Sequence, residues 1–115
     1  LYLAFQARIR GVMDKRYKLI EYRTDHIRLT QLFDLKNDPW EQYNLYDMDG
    51  TDEIVERLRG ELFRLRDEWE DEGILFGQQF WQQWRQYEAA EVHGVASPKG
   101  ANMAAQVSDW GTNKK

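Results

Sequence analysis

A chain of 115 residues fits one small domain and can bury roughly two-thirds of its unfolded surface around a single core. Five Trp, six Tyr and five Phe supply apolar bulk, 31% of residues are charged and the net charge is −4, a balance that does not suggest a nucleic-acid partner. There is no cysteine, hence no disulfide framework and no thiolate metal site, and no apolar run approaches the ~18 residues of a membrane span.

The charge is unevenly spread. Residues 1–33 carry seven Lys or Arg against three Asp or Glu, and residues 34–72 carry five against fourteen. Mixed surfaces of this kind are usual, so the basic half is expected to pair with the acidic half, within this domain or across to another one.

Residues 2–12 alternate in part, with Leu3, Phe5, Ala7 and Ile9 on one side and Gln6, Arg8 and Arg10 on the other. A period of two predicts one half-buried strand, interrupted at Gly11. The chain opens at Leu1 inside this pattern, which predicts an N-terminal part upstream, and any signal peptide with it. Asp14-Lys15-Arg16 offers a polar turn. Tyr17–Tyr22 carries apolar residues on both sides, as a central strand does, and Leu29–Leu35 reads as a further strand after a turn at Thr24-Asp25-His26. Short connections between such strands predict an antiparallel meander.

Asn37-Asp38-Pro39 ends the sheet region. Pro39 fixes its own φ and pushes Asp38 out of the helical region, and Asn and Asp bond their local backbone. A single helical turn is expected around Trp40–Asn44, and a second polar break at Asp47–Gly50. From Thr51 the period becomes helical: Ile54, Leu58, Leu62, Leu65 and Trp69 share a face. Thr51 is the expected N-cap, Arg57–Glu61 and Arg64–Glu68 are i,i+4 pairs, and Gly60 is expected at a close backbone contact. Gly73 is the expected stop, with Glu70-Asp71-Glu72 fraying against the dipole. A second helix fits 76–92, with Phe76, Phe80, Trp84 and Tyr87 on one face and Trp81 on its flank. It is expected to pack on the first helix or on the open face of the sheet. Residues 94–115 hold little pattern and read as an extended or flexible tail, clasped by Trp110.

The order Arg16-Tyr17-Lys18-Leu19-Ile20, then Leu32-Phe33-Asp34-Leu35, then Asn37-Asp38-Pro39-Trp40-Glu41-Gln42-Tyr43-Asn44-Leu45, then a charged helix, resembles the C-terminal subdomain of the sulfatase family. The resemblance covers about residues 8–70. It implies an α+β fold: a small antiparallel sheet of three or four strands covered by a long amphipathic helix, with the aromatic-rich second helix added. The subdomain would span 1–93, divided into a sheet (1–35), a turn region (36–50) and helices (51–72 and 76–92). It also implies a partner, a large catalytic domain related to alkaline phosphatase that holds calcium and a formylglycine.

The signature for formylglycine is Cys or Ser, any residue, Pro, a small residue, any residue, Arg. Ser97-Pro98-Lys99 lacks the intervening residue and the Arg. Asn37-Asp38 read as turn formers, His26 and His93 are isolated, and Glu68–Glu72 lacks EF-hand spacing and reads as a solvated helix end. No catalytic residue and no metal ligand is therefore assigned.

Arg8, Arg10, Arg16 and Lys18 form the one candidate substrate-proximal patch, with Arg8 and Arg10 expected on the same strand face. Guanidinium forks suit sulfate and carboxylate groups, so this face could contact a sulfated sugar. Pairing with acidic surface of the large domain is the favoured reading. Phe76, Phe80, Trp81 and Trp84 could stack on sugar rings, with core packing again favoured.

The chain thus reads as the C-terminal piece of a sulfuric ester hydrolase, bordering the substrate cleft and not catalytic by itself. Its alternatives are an independent module for an anionic glycan or a protein, and a piece of a related phosphoesterase. A homo-oligomer through exposed aromatic surface is a further expected partner. The compartment stays open between periplasmic, secreted and cytoplasmic.

Overall fold

The computed structural model describes residues 1–90. Strands β1 (Tyr2–Phe5), β2 (Ile9–Met13), β3 (Tyr17–Arg23) and β4 (Arg28–Asp34) form one antiparallel sheet in chain order. Two α-helices follow, α1 (Asp52–Glu68) and α2 (Leu75–Ala90), joined through a short 3-10 turn at Asp71–Gly73. The fold is α+β, with β3 central as its two-sided pattern predicts. His93 and the tail expected at 94–115, Trp110 included, lie outside the described residues.

Residues 2–12 are two strands rather than one. The chain reverses over Gln6–Arg8, Gln6 takes a positive φ of 51°, and Leu3 pairs back against Gly11. No Gly, Asn or Asp marks this turn. A side chain holds it instead: Arg10 Nη1 donates to the carbonyls of Gln6 (2.6 Å) and Ile9 (2.7 Å). Gly11 does not interrupt its strand. It lies between Leu3 and Ile20, where a Cβ would stand 2.8 Å from the Leu19 carbonyl oxygen.

Alternation sorts the sheet into two faces. Tyr2, Val12, Leu19 and Leu32 form one cross-strand row and meet Val55, Leu58, Leu62 and Leu65 of α1 and Phe80, Trp81 and Trp84 of α2. Apart from the half-buried Tyr2, each of these buried apolar side chains contributes about 1.5–3 kcal/mol. Phe63 stands edge-on to Trp81 (6.0 Å) and Trp84 (5.7 Å), so both helices share one sheet face. Leu3, Ile9, Ile20 and Tyr22 alternate onto the other face, half-buried and with no helix over them among the described residues.

Several local expectations are corrected. Val55 takes the α1 core position expected of Trp69, which is 66% exposed, and Trp81, expected at the flank of α2, is fully buried while Phe76 is exposed. No helix forms at Trp40–Asn44, because Glu41 adopts φ 55°. Thr51 occupies the N-cap position without a capping bond; its hydroxyl donates instead to the carbonyls of Met48 (2.8 Å) and Leu45 (3.2 Å). Helix α1 stops at Glu68, with Glu70 rather than a glycine in the left-handed region. Arg57 pairs with Asp14 (3.0 Å) in place of Glu61, while Arg64 pairs with Glu68 (2.9 Å) and with Glu61 (2.6 Å). Nothing lies within 4 Å of a Cβ built on Gly60, so the expected close contact is absent. Gly60→Ala should therefore raise stability by up to ~1 kcal/mol, read as a higher urea midpoint with unchanged slope.

The segment Asn37–Leu45 has a physical role in this fold. Asp38 accepts from the backbone N–H groups of Gln42 (3.0 Å) and Tyr43 (2.9 Å), as a turn former does. Asn44 then plugs the open edge of β4. Its Oδ1 accepts from Leu32 N (2.9 Å) and its Nδ2 donates to the Thr30 carbonyl (3.1 Å). An edge strand left bare invites pairing with another chain, and here the Asn44 amide, together with Leu45 N donating to the Leu32 carbonyl (2.8 Å), supplies what a fifth strand would.

Candidate functional site

The four cations singled out from sequence are not one patch. Arg10 is 1% exposed and its Nε donates to Asp71 Oδ2 at 2.6 Å. Arg16 makes a bidentate pair with Asp34 (3.0 and 2.9 Å), which holds the Asp34 carboxyl well below the usual carboxylate range. Lys18, on the sheet face away from the helices, pairs with Glu41 at 3.1 Å. Arg8 is exposed and makes no side-chain bond among the described residues. It stands in the turn between β1 and β2, not on Arg10's strand face; the hairpin separates them.

In the acidic run at the end of α1, Glu68 and Glu70 are exposed as expected, but Asp71 is not. Asp71 is buried and accepts from Tyr2 Oη (2.6 Å), Arg10 Nε (2.6 Å), Arg10 Nη2 (3.3 Å) and Trp81 Nε1 (3.0 Å). Burial alone would raise its carboxyl, but the donors from Arg10, Tyr2 and Trp81 outweigh it and hold the group below its usual range. Burial and the neighbouring Asp71 carboxylate push the Tyr2 phenol up. Gly77 closes the site from α2: a Cβ there would land on the Asp71 carbonyl oxygen.

A second buried network joins the sheet to both helices. Glu21, fully buried, accepts from Thr30 Oγ1 (2.5 Å) and Arg59 Nε (2.7 Å) and pairs with Arg23 Nη1 (3.3 Å). Arg23 lies over the Trp84 ring at 4.4 Å and Arg59 over the same ring at 5.5 Å. Desolvation would push Glu21 up, and Arg59 and Arg23 together bring it down; burial lowers Arg23. Apart from Arg23 Nε, which has no partner, the charged groups of both networks are held by protein partners.

What remains accessible is a groove of about 820 Å³ between α2 and the two hairpin turns. Phe5, Ile9, Tyr22 and Ile27 form its apolar part, and Arg8, His26, Gln79 and Gln82 are among its polar residues. Tyr87 Oη pins its far wall by donating to the Thr24 carbonyl at 2.7 Å. Asp25 is also present, its Oδ1 accepting from Gln83 Nε2 at 3.1 Å. Of the cations named from sequence only Arg8 reaches this groove. The glutamines were overlooked, although Gln78-Gln79 and Gln82-Gln83 recur at helical spacing, a readable sign of an amide-bearing face.

Among the described residues no three or more His, Cys, Asp or Glu come together as a metal ion would require. No helix there is long and apolar enough to cross a membrane. The family model described as N-sulphoglucosamine sulphohydrolase, C-terminal, matches residues 4–68, from β1 to the last residue of α1 and across the Asn37–Leu45 segment. No curated protein matches the chain.

Proposed function

The chain belongs to the C-terminal domain family of N-sulphoglucosamine sulphohydrolase, and on that premise we propose that it braces a sulfatase catalytic domain without supplying a catalytic residue. Belonging to a sulphohydrolase family favours hydrolysis of a sulfo group over the phosphoesterase alternative for the parent protein. The observation that carries the bracing role is the inequality of the two sheet faces. One is sealed by both helices and two buried ion networks. The other presents Leu3, Ile9, Ile20 and Tyr22 half-buried, with Phe5 57% exposed. Apolar area left bare in this way marks an interaction surface, and the catalytic domain is its proposed occupant.

Calcium and formylglycine belong, in this reading, to that catalytic domain. The described residues do not fit either group: they offer no converging carboxylates, and residues 1–90 hold neither the cysteine nor the serine from which formylglycine is made. The chain's own contribution is to position and to border.

The test uses the parent sulfatase and the isolated chain together. Ile20→Asp, placed on the bare face, should leave the isolated chain's melting curve little changed and should lower the parent's aryl sulfatase activity at least tenfold. A fully active Ile20→Asp parent would refute docking through this face. Turnover of an aryl sulfate by the isolated chain in the presence of calcium would overturn the non-catalytic role.

A further inference from the structure

We propose that the groove between α2 and the two hairpin turns is the seat of this chain's own segment around Trp110, with the Trp110 indole on its apolar part and the Asp109 carboxylate on Arg8. Helix α2 brings the chain to that place. Its last turns are fastened beside the groove, Tyr87 Oη to the Thr24 carbonyl (2.7 Å) and Glu88 to Arg28 (3.3 Å), and Thr24 is part of the groove's wall. The described structure ends at Ala90, and residues 91–115 continue from there. Closing a loop back onto a neighbouring surface costs entropy that grows only slowly with its length. A tethered segment also acts at an effective concentration on the order of millimolar, so a few well-matched contacts hold it.

The chemistry of the groove selects the segment. Phe5, Ile9, Tyr22 and Ile27 offer apolar surface in a space of about 820 Å³, and Phe5 is exposed. Trp110 is the largest apolar side chain within residues 91–115. An indole set on aromatic and aliphatic neighbours gains both burial and edge-to-face ring contacts. Gln79 and Gln82 are exposed on α2 and make no side-chain bond among the described residues. Their amides both donate and accept, as the N–H and C=O groups of a seated peptide backbone require.

Arg8 supplies the charge that sets the register. It is exposed, and its guanidinium has no carboxylate partner among the described residues, in contrast to Arg10, Arg16, Arg23 and Arg59. A free guanidinium fork binds a carboxylate through two parallel bonds. Asp109 is the one acidic residue in 92–115 and directly precedes Trp110, so charge and ring enter the groove together. The groove's own carboxylate, Asp25, is engaged by Gln83 (3.1 Å). Phe5, Ile9 and Tyr22 also belong to the bare sheet face, so a seated Trp110 covers one rim of the surface proposed for the catalytic domain. That consequence alone rests on the bracing role.

The test is nuclear Overhauser spectroscopy on the full chain. The Trp110 indole should show contacts to the Ile9 and Ile27 methyl groups and to the Phe5 ring. Trp110→Ala should shift the Phe5 ring signals and the side-chain amide signals of Gln79 and Gln82. Arg8→Glu should weaken the Trp110 contacts at least threefold, and adding Asp109→Arg to it should restore them. Absence of any contact from Trp110 to the groove, contacts indifferent to Arg8→Glu, or a charge exchange that restores nothing would overturn the proposal. Contacts that fade on dilution would place the segment in a neighbouring copy and overturn the intramolecular seat as well. Every measurement uses this chain alone, so a failure here is separate from a failure to dock with the catalytic domain.

Discussion

Truncating Glu21 to alanine will remove about 3–5 kcal/mol of stability, the usual loss when one partner of a buried ion pair is deleted. Small domains hold about 5–15 kcal/mol in total, so Glu21→Ala should be largely unfolded at modest urea. The reason lies in what the substitution leaves behind. Arg23 is fully buried, and its remaining partners are the backbone carbonyls of Tyr22 (2.9 Å) and Leu29 (3.4 Å) and a long contact to Glu88 (3.5 Å). Its Nε has no partner even in the intact network. Stacking on Trp84 contributes on the order of 2 kcal/mol at a desolvated site, less than the cost of an uncompensated buried cation. Removing the charges together should behave differently. Glu21→Leu with Arg23→Met and Arg59→Met replaces the network by apolar groups of similar length, and such replacements are often neutral or stabilising. Urea denaturation of the single and triple variants decides the matter. A single variant within 1 kcal/mol of wild type would mean that Glu21 does not anchor the helices.

The contrast between these residues and the rest of the chain shows what a linear pattern carries. Turns at Asp14, Thr24 and Asp38 were legible because the residue that makes each turn also bonds it locally: Asp14 Oδ1 accepts from Arg16 N and Tyr17 N, and Thr24 Oγ1 from Ile27 N. The α1 face was legible through its spacing, with errors at both ends: Trp69 leaves the core after the last turn and Val55 enters it near the first. The turn at Gln6–Arg8 was not legible, since it lacks turn residues and depends on Arg10 reaching back to two carbonyls. The buried charges were least legible. Glu21, Arg23 and Asp71 look like surface residues in sequence, and their partners lie far along the chain, Arg59 being 38 residues from Glu21 and Arg10 being 61 residues from Asp71. For the groove, the basic residues were visible but not which of them stays unpaired. That depends on which acidic side chains the fold delivers to the other three.

Asp71 is one of the points where the additional α2 segment, beyond the family match at 4–68, is fastened to the sheet. The tie makes its stability pH-dependent. The carboxyl sits below its ordinary value of 3.8 in the folded chain, because the donors from Arg10, Tyr2 and Trp81 outweigh the opposing effect of burial. A depressed carboxyl contributes stability that is fully present above its unfolded value and is lost as pH falls through the folded one. Glu21 acts in the same direction from an ordinary value of 4.5. Stability should therefore be level near neutrality and decline as pH drops below about 4, where both carboxylates still resist protonation only in the folded state. Asp71→Ala should cost about 3–5 kcal/mol at pH 7, since it strands the buried Arg10. Asp71→Asn keeps the shape but turns an amide donor toward Tyr2, Arg10 and Trp81, so it should also destabilise, and the acid limb of its stability curve should flatten. The measurement is unfolding free energy from pH 6 to 2.5 for wild type and Asp71→Asn. Parallel acid limbs in the two proteins would remove Asp71 as the group responsible. A wild-type curve flat to pH 2.5 would remove the buried carboxylates altogether. Trp81 supplies an internal reporter, because its indole N–H donates to Asp71. Its fluorescence should change in step with global unfolding if the clasp and the core are one cooperative unit, and ahead of it if α2 detaches first.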